Sequence, residues 1–298
     1  MSNICVLMSS YNGGQYIREQ INSILSQDNV NLTLVVRDDG STDNTLDILK
    51  AYQNEGKLTY FQGSNLGPAR SFLQLLKDAP KSDFYAFSDQ DDYWLPDKLY
   101  SAIQLLNNER HSPALYFCQT QLADKDLNMI PSVIIHPLLT FGESLISEFI
   151  GGCTMVLNHS LRQIVIAYEP RYLMMHDTWI YSIALAVNSK VVFDSVPHML
   201  YRQHGNNVVG QGAGKLVGIK RRYKRIRKKE QSRYRRAKEL KAGFEGYIPS
   251  DNMDILNMYI SGKKSFKDRL KLITDKRFRC ANKKTKRLFN LAVMLNLY

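Results

Sequence analysis

Three carboxylates crowd into the four residues Asp89-Gln90-Asp91-Asp92. Like charges this close repel, and the cluster costs stability unless solvent, a cation or basic neighbours offset it. A hard divalent cation, held by one or two carboxylates together with phosphate oxygens, is the usual offset. The other reading is a solvated acidic loop that opens a helix. The apolar run Phe84–Phe87 just upstream weighs against that, because ligand groups gather where buried strands end. A second acidic pair, Asp38-Asp39, stands in R-D-D-G-S-T-D-N-T at Arg37–Thr45. Asp-Gly is common turn chemistry. A carboxylate there can also accept a hydrogen bond from a base N–H or a ribose hydroxyl.

These clusters need elements that hold them together. Ile4–Met8, Leu32–Arg37, Leu58–Phe61, Phe84–Phe87 and Ala114–Cys118 are short runs that predict strands, most of them strongly apolar. Helical spacing falls between them. It runs through Tyr16, Ile17, Ile21, Ile24 and Leu25, then from an Asp43 N-cap to about Tyr52. It returns with Phe72, Leu75 and Leu76, and again from Pro96 to about Asn108. Alternating strands and helices predict an α/β fold with a mostly parallel sheet covered on both faces. Residues 9–14, 38–41 and 88–92 each follow a predicted strand, so the topology places them along one rim. Downstream, Phe149–Leu157 predicts a strand after a Gly-Gly turn. Asp177–Val187 predicts a helix, and Val191–Phe193 and His198–Arg202 predict two short strands. Asn206, Asn207, Gly210, Gly212 and Gly214 mark a flexible junction. The expected division is an α/β domain over 1–214 and a basic, mainly helical region over 215–298.

The charge follows that division. The 298 residues carry 40 Lys+Arg and 28 Asp+Glu, a net +12. Residues 1–214 are net −7 and residues 215–298 net +19. An acidic body argues against a nucleic-acid groove through it, and the basic half points to an anionic partner for that half alone. Its two basic blocks, Lys215–Lys241 and Lys263–Arg287, can be a solvated surface, a contact for anionic lipid headgroups, or a nucleic-acid site. No nucleic-acid module motif appears, so no nucleic acid is expected and an anionic membrane surface is the favoured partner. Leu288–Tyr298 is apolar but too short to span a bilayer, and reads as an interfacial or oligomer-packing segment. Cys5, Cys118, Cys153 and Cys280 form no short-range metal or redox framework. The first residues lack the features of a signal peptide. A cytoplasmic protein, peripheral at the inner face of the cell membrane, is expected.

Four segments occur in order: V-L-M-S-S-Y-N-G at Val6–Gly13, D-D-G-S-T-D-N-T at Asp38–Thr45, N-L-G-P-A-R at Asn65–Arg70, and F-S-D-Q-D-D at Phe87–Asp92. Together they resemble family 2 glycosyltransferases with the GT-A fold, a Rossmann-like, mostly parallel sheet flanked by helices. H-D-T-W at His176–Trp179 and Y-R-Q-H-G-N-N at Tyr201–Asn207 resemble a narrower group, the bacterial rhamnosyltransferases of surface polysaccharide synthesis. The likeness extends to about residue 212 and leaves the basic region uncovered.

The resemblance implies an inverting, metal-dependent glycosyltransferase using Mn²⁺ or Mg²⁺. Its donor would be a nucleotide sugar, dTDP-rhamnose first, and its acceptor a glycan or lipid-linked glycan. Position by position, it implies a nucleotide-sugar pocket lined by Ser10, Tyr11, Asp38, Asp39, Arg70 and Asp89. Asp91 and His204 are implied at the metal and diphosphate, and Asp177 as the catalytic base. Taken without the resemblance, Asp177 reads as an N-cap and His204 as a turn histidine. His176 is expected to position its neighbours. Trp94 and Trp179 can stack on a sugar or fill the core, and Gly151-Gly152-Cys153 can shape the acceptor cleft or make a tight turn. A UDP-hexose donor, a catalytically silent nucleotide-sugar-binding module, and a nucleic-acid binder led by the basic region stay open as alternatives. So does a homodimer.

Overall fold

The computed structural model describes residues 1–109, 111–147, 149–204 and 231–298. Seven strands form its central sheet: β1 (Asn3–Ser10), β2 (Asn31–Asp38), β3 (Thr59–Gln62), β4 (Phe84–Ser88), β6 (Ala114–Cys118), β8 (Val156–Asn158) and β9 (Lys190–Asp194). Their order is β3-β2-β1-β4-β8-β6-β9. β1 is parallel to β2 and β4, β2 to β3, and β6 to β9. Only β8 runs against its neighbours. The register sets Ser10 beside Asp38, Asp38 beside Gln62, and Met8 beside Ser88. The polar segments after β1, β2 and β4 therefore leave the sheet at one rim. A second sheet, β5 (Tyr93–Trp94), β10 (Met199–Arg202) and β7 (Gln121–Ala123), stands beyond that rim.

Strand alternation explains the layers. Ile4, Val6 and Met8 of β1 enter one apolar cluster, while Cys5 and Leu7 enter another. The first cluster is covered by α1 (Ile17–Leu25), α2 (Thr45–Asn54) and α4 (Lys98–Leu106). The second lies under α3 (Pro68–Asp78), α5 (Phe141–Ser144), α6 (His159–Ile166) and α7 (His176–Ala186). Every residue of α7 is buried, as befits a helix with protein on all sides.

Part of that cover comes from the basic region. Helices α8 (Ser232–Phe244), α9 (Ser250–Ser261), α10 (Phe266–Thr274) and α11 (Lys283–Met294) bury Leu240, Phe244, Leu256, Tyr259, Leu272, Phe289 and Val293 in the same cluster as Trp179 and Tyr181. Each such side chain stabilises the fold by about 1.5–3 kcal/mol. The described part of the basic region, residues 231–298, is thus mainly helical, as expected, and shares the core of the body. The segment Leu288–Tyr298 divides between core and surface, with Leu291 and Leu295 exposed. Phe289, Val293 and Tyr298 pack inward on this chain, and the Tyr298 hydroxyl donates to the Tyr259 carbonyl at 3.1 Å.

Other departures are local. The expected strand over Phe149–Leu157 is first a 3-10 turn at Gly152–Thr154 and only then β8. Asp43 lies one residue ahead of the α2 cap and accepts from the Thr45 and Gly14 backbone N–H groups. Trp94 and Trp179 are both 1% exposed and belong to the core, which removes them as sugar platforms. The junction glycines, Asn206, Asn207 and the basic block up to residue 230 lie outside the described residues.

Candidate active site

The end of β2 is organised from within. Asp38 is fully buried. Its Oδ1 accepts from the backbone of Gly40 (3.0 Å) and Ser41 (2.8 Å). Its Oδ2 accepts from the hydroxyls of Ser10 (2.9 Å) and Ser41 (2.6 Å). Four bonds to one carboxylate fix the turn and tie β1 to β2. Asp39 pairs with Arg37 and accepts from the backbone of Leu66 (3.1 Å) and Gly67 (2.9 Å). It thereby draws the Asn65–Arg70 segment to the same rim. Arg70 extends from the first turn of α3 to the carbonyls of Pro170 (3.4 Å) and Arg171 (3.3 Å), on the loop that leads into α7. Tyr11 stands out, 48% exposed.

The Asp89–Asp92 loop is fastened to this rim by its uncharged member. The Gln90 side chain accepts from the Tyr11 N–H (2.9 Å) and donates to the Tyr11 carbonyl (3.1 Å). Gly13 makes room for it: a Cβ there would sit 2.1 Å from Gln90 Oε1. On the other side Arg202 clamps the loop. Its backbone N–H meets Asp92 Oδ1 at 3.2 Å and its Nε meets the Asp91 carbonyl at 2.8 Å. Its guanidinium also pairs with Glu19 and lies over the Tyr16 ring.

The carboxylates of the loop then divide. Asp91 Oδ2 meets His204 Nε2 at 2.8 Å, and the His204 ring lies against Tyr16 with centroids 4.9 Å apart. Asp92 turns inward and is fully buried, its carboxyl held well above the usual range by burial and by Asp91 and Asp89. Donor atoms of Asp89, Asp92 and Cys153 all lie within 4.8 Å of one another. Burial pushes the Cys153 thiol up as well, with Asp92 and Asp89 adding to it. A thiol is a softer donor than a hard divalent cation prefers, and carboxylates suit that cation well. Among the described residues Asp89 offers an oxygen beside Asp92 and Cys153, while Asp91 is the carboxylate that meets His204. Burial raises Asp89 to about 7, and the charges of Asp91 and Asp177 contribute.

That last contribution places Asp177 within electrostatic reach of the loop. Asp177 lies in the first turn of α7, whose cap residue is Met175. Its place differs by two residues from an N-cap, and the helix N-terminus still favours an anion there. Its Oδ1 accepts from the Thr178 N–H (2.5 Å) and hydroxyl (3.1 Å), which orients the carboxylate. Next to it, His176 stacks on Phe72 at 4.1 Å and meets the edge of Phe87 at 5.1 Å. Burial lowers His176 to about 3, so the ring is neutral and packs as a wedge. Gly152 fits against this wedge. A Cβ there would lie 2.3 Å from His176 Nε2 and 3.5 Å from the Asp177 Cβ.

The rim thus collects Ser10, Tyr11, Asp38, Asp39, Asp89, Asp91, His204 and Asp177, while Arg70 braces the approach to α7. Sequence reasoning gave no separate role to Gln90, Asp92 or Arg202, and offered Cys153 only as part of a turn that could shape the acceptor cleft. Gln90 and Asp92 stood inside the cluster already singled out. Arg202 and Cys153 meet that cluster only through the fold.

The model of glycosyl transferase family 2 matches residues 5–164. The chain belongs to that family. This glycosyltransferase is 32% identical over 238 residues to the dTDP-rhamnosyl transferase RfbG of Shigella flexneri, covering 74% of this chain and 78% of that one. It is 30% identical over 158 residues to the putative teichuronic acid biosynthesis glycosyltransferase TuaG of Bacillus subtilis, covering 52% and 62%. The fold is that of solved GT-A glycosyltransferases. Residues 1–349 of Staphylococcus aureus TarS superpose with a TM-score of 0.60 at 17% identity, covering 99% of this chain and 80% of that one. A Pyrobaculum calidifontis mannosyltransferase, solved with GDP-mannose and Mn²⁺, gives 0.54 at 17% identity, covering 99% and 80%. The chain is a family 2 nucleotide-sugar transferase, and the rim described above is the part of its fold where strand ends gather polar side chains.

Proposed function

We propose that the enzyme is an inverting, metal-dependent rhamnosyltransferase, taking rhamnose from dTDP-rhamnose to a glycan carried on a lipid. One arrangement supports the mechanism: Gly152 packs against Asp177, a Cβ there lying 3.5 Å from the Asp177 Cβ, and the next residue, Cys153, lies within 4.8 Å of Asp89 and Asp92. In this reading a proton acceptor and a diphosphate-binding loop share one site. Ser10, Tyr11, Asp38 and Asp39 form the wall for the base and ribose, with Asp38 stiffening it and Tyr11 offering its exposed ring. Asp89, Asp91 and His204 would hold a divalent cation, which supplies charge stabilisation for the departing diphosphate. Asp177 takes the proton from the acceptor hydroxyl as that oxygen attacks the anomeric carbon. A single base and in-line attack give inversion, by analogy with inverting glycoside hydrolysis. Thr178 holds the Asp177 carboxylate in place, and burial leaves His176 too weak a base to compete. The likeness to a dTDP-rhamnosyl transferase supports the donor, and the basic region supports a reaction at the inner face of a membrane.

A donor panel tests the reading. Thermal melts with Mn²⁺ should show dTDP-rhamnose stabilising the protein most, by about 2.7 kcal/mol at a hundredfold excess over Kd. Transfer or donor hydrolysis should follow the same order. Preference for a UDP-hexose would replace the donor assignment. Binding without turnover of any donor would defeat the enzymatic mechanism.

A further inference from the structure

Residues 263–287 hold 12 Lys+Arg against two acidic residues, Asp268 and Asp275. Helices α10 and α11, which carry much of that charge, pack against each other and turn their inner sides to the core through Leu272, Phe289 and Val293. Their outer sides are unusual for a surface in water. On α10 the exposed stripe is Phe266, Lys267, Leu270, Lys271 and Thr274. On α11 it is Lys283, Arg287 and Leu291, spaced by four residues, and the next step of four reaches Leu295 at the C-cap. Phe266 is 55% exposed, Leu270 40%, Leu291 56% and Leu295 59%. A single exposed leucine is ordinary. Four large apolar side chains on two adjoining helices, set among lysines and arginines, are the composition of a helix face that lies in a membrane interface.

We infer that the outer face of α10 and α11 docks on an anionic lipid bilayer, with Phe266, Leu270, Leu291 and Leu295 entering the headgroup region and the surrounding basic side chains meeting lipid phosphates. The inference deepens the membrane part of the function above and rests on it. Charge complementarity selects the partner, since anionic leaflets attract each nearby basic residue. The apolar residues select lipid over nucleic acid, because a phosphate backbone offers nothing for a row of Leu and Phe to enter. Among the described residues no helix is long and apolar enough to cross a membrane, in keeping with a face that lies on one.

The test is flotation of the full chain with vesicles of phosphatidylcholine containing about 30% phosphatidylglycerol, at about 0.15 M salt. The comparison is the variant Phe266→Ser, Leu270→Ser, Leu291→Ser, Leu295→Ser, with melting temperature and donor hydrolysis followed in parallel. The wild type should bind, and the variant should bind at least about tenfold more weakly with hydrolysis unchanged. In the wild type, part of the binding should survive about 0.5 M salt, where purely electrostatic attraction is screened. That second measurement decides the matter if the variant fails to fold. A variant that binds like the wild type, or wild-type binding abolished by salt, overturns the apolar docking face and leaves the membrane reading standing. A wild type that ignores the vesicles, or prefers RNA to them, overturns both.

Discussion

Asp89 offers a test of the site in which loss of function and gain of stability should appear together. Burial, Asp91 and Asp177 raise its carboxyl from an ordinary 3.8 to about 7. The folded protein therefore holds a proton there that the unfolded chain gives up near pH 4. Stability is highest below that pH, falls as pH rises through the interval to about 7, and carries the full penalty above it. Three units correspond to at most ~4 kcal/mol, and relaxation of the loop brings this to about 2–4 kcal/mol. Asp89→Asn removes the charge and keeps the shape. In a chelator at pH 8 the variant should melt above the wild type by about 4–8 °C. At pH 5, part-way through that interval, the difference should fall to about a third to a half of its pH 8 value. Mn²⁺ and donor should stabilise the wild type at pH 8 and do little for the variant. The assay is a set of melts at pH 5 and 8, with and without Mn²⁺. If the variant melts at or below the wild type at pH 8 without metal, or if the gap is the same at both pH values, the electrostatic account of the loop is wrong.

Asp177→Asn should lower turnover by about 10²–10⁴-fold with little change in donor affinity by calorimetry. Because the Asp177 charge raises Asp89, the Asp89 carboxyl should titrate lower in the variant, and lost donor binding would mean that the Asp177 carboxylate is structural. Gly152→Ala sets a methyl 2.3 Å from a His176 ring that is stacked on Phe72. It should cost about 1–3 kcal/mol in urea denaturation and reduce kcat by shifting Asp177, whereas unchanged kcat would show that the wedge does not set the base.

Much of the site was legible because the strands announce themselves. Ile4–Met8 and Phe84–Phe87 are continuous apolar runs, so the segments that follow them had to emerge at strand ends. The direction of β8 was not legible, since an apolar stretch carries no sign of which way it runs. Nor could sequence divide the carboxylates of Asp89–Asp92. Which one meets His204 and which turns to Cys153 depends on the grip of Arg202, 110 residues beyond Asp92. The part taken by Asp177 came from its likeness to a family pattern, because a carboxylate opening a helix has the same local signature whether it caps or reacts. The charge asymmetry was plain at once, but net charge says nothing about the apolar faces that bind the basic helices to the body.

Helix α7, buried on every side, also sets an order of events during synthesis. The helix that carries Asp177 receives part of its cover from α8 to α11, which leave the ribosome after it. At ~5–20 residues per second, residues 187–294 take about 5–20 s to appear. For that time Trp179, Ile180, Tyr181 and Ile183 lack the neighbours that bury them, and the nascent chain presents an apolar helix to whatever holdase is at hand. The mature position of the proposed base is then reached only after α8 to α11 have docked, so the segments that follow β1, β2 and β4 are made well before the helix that carries Asp177 is fully covered.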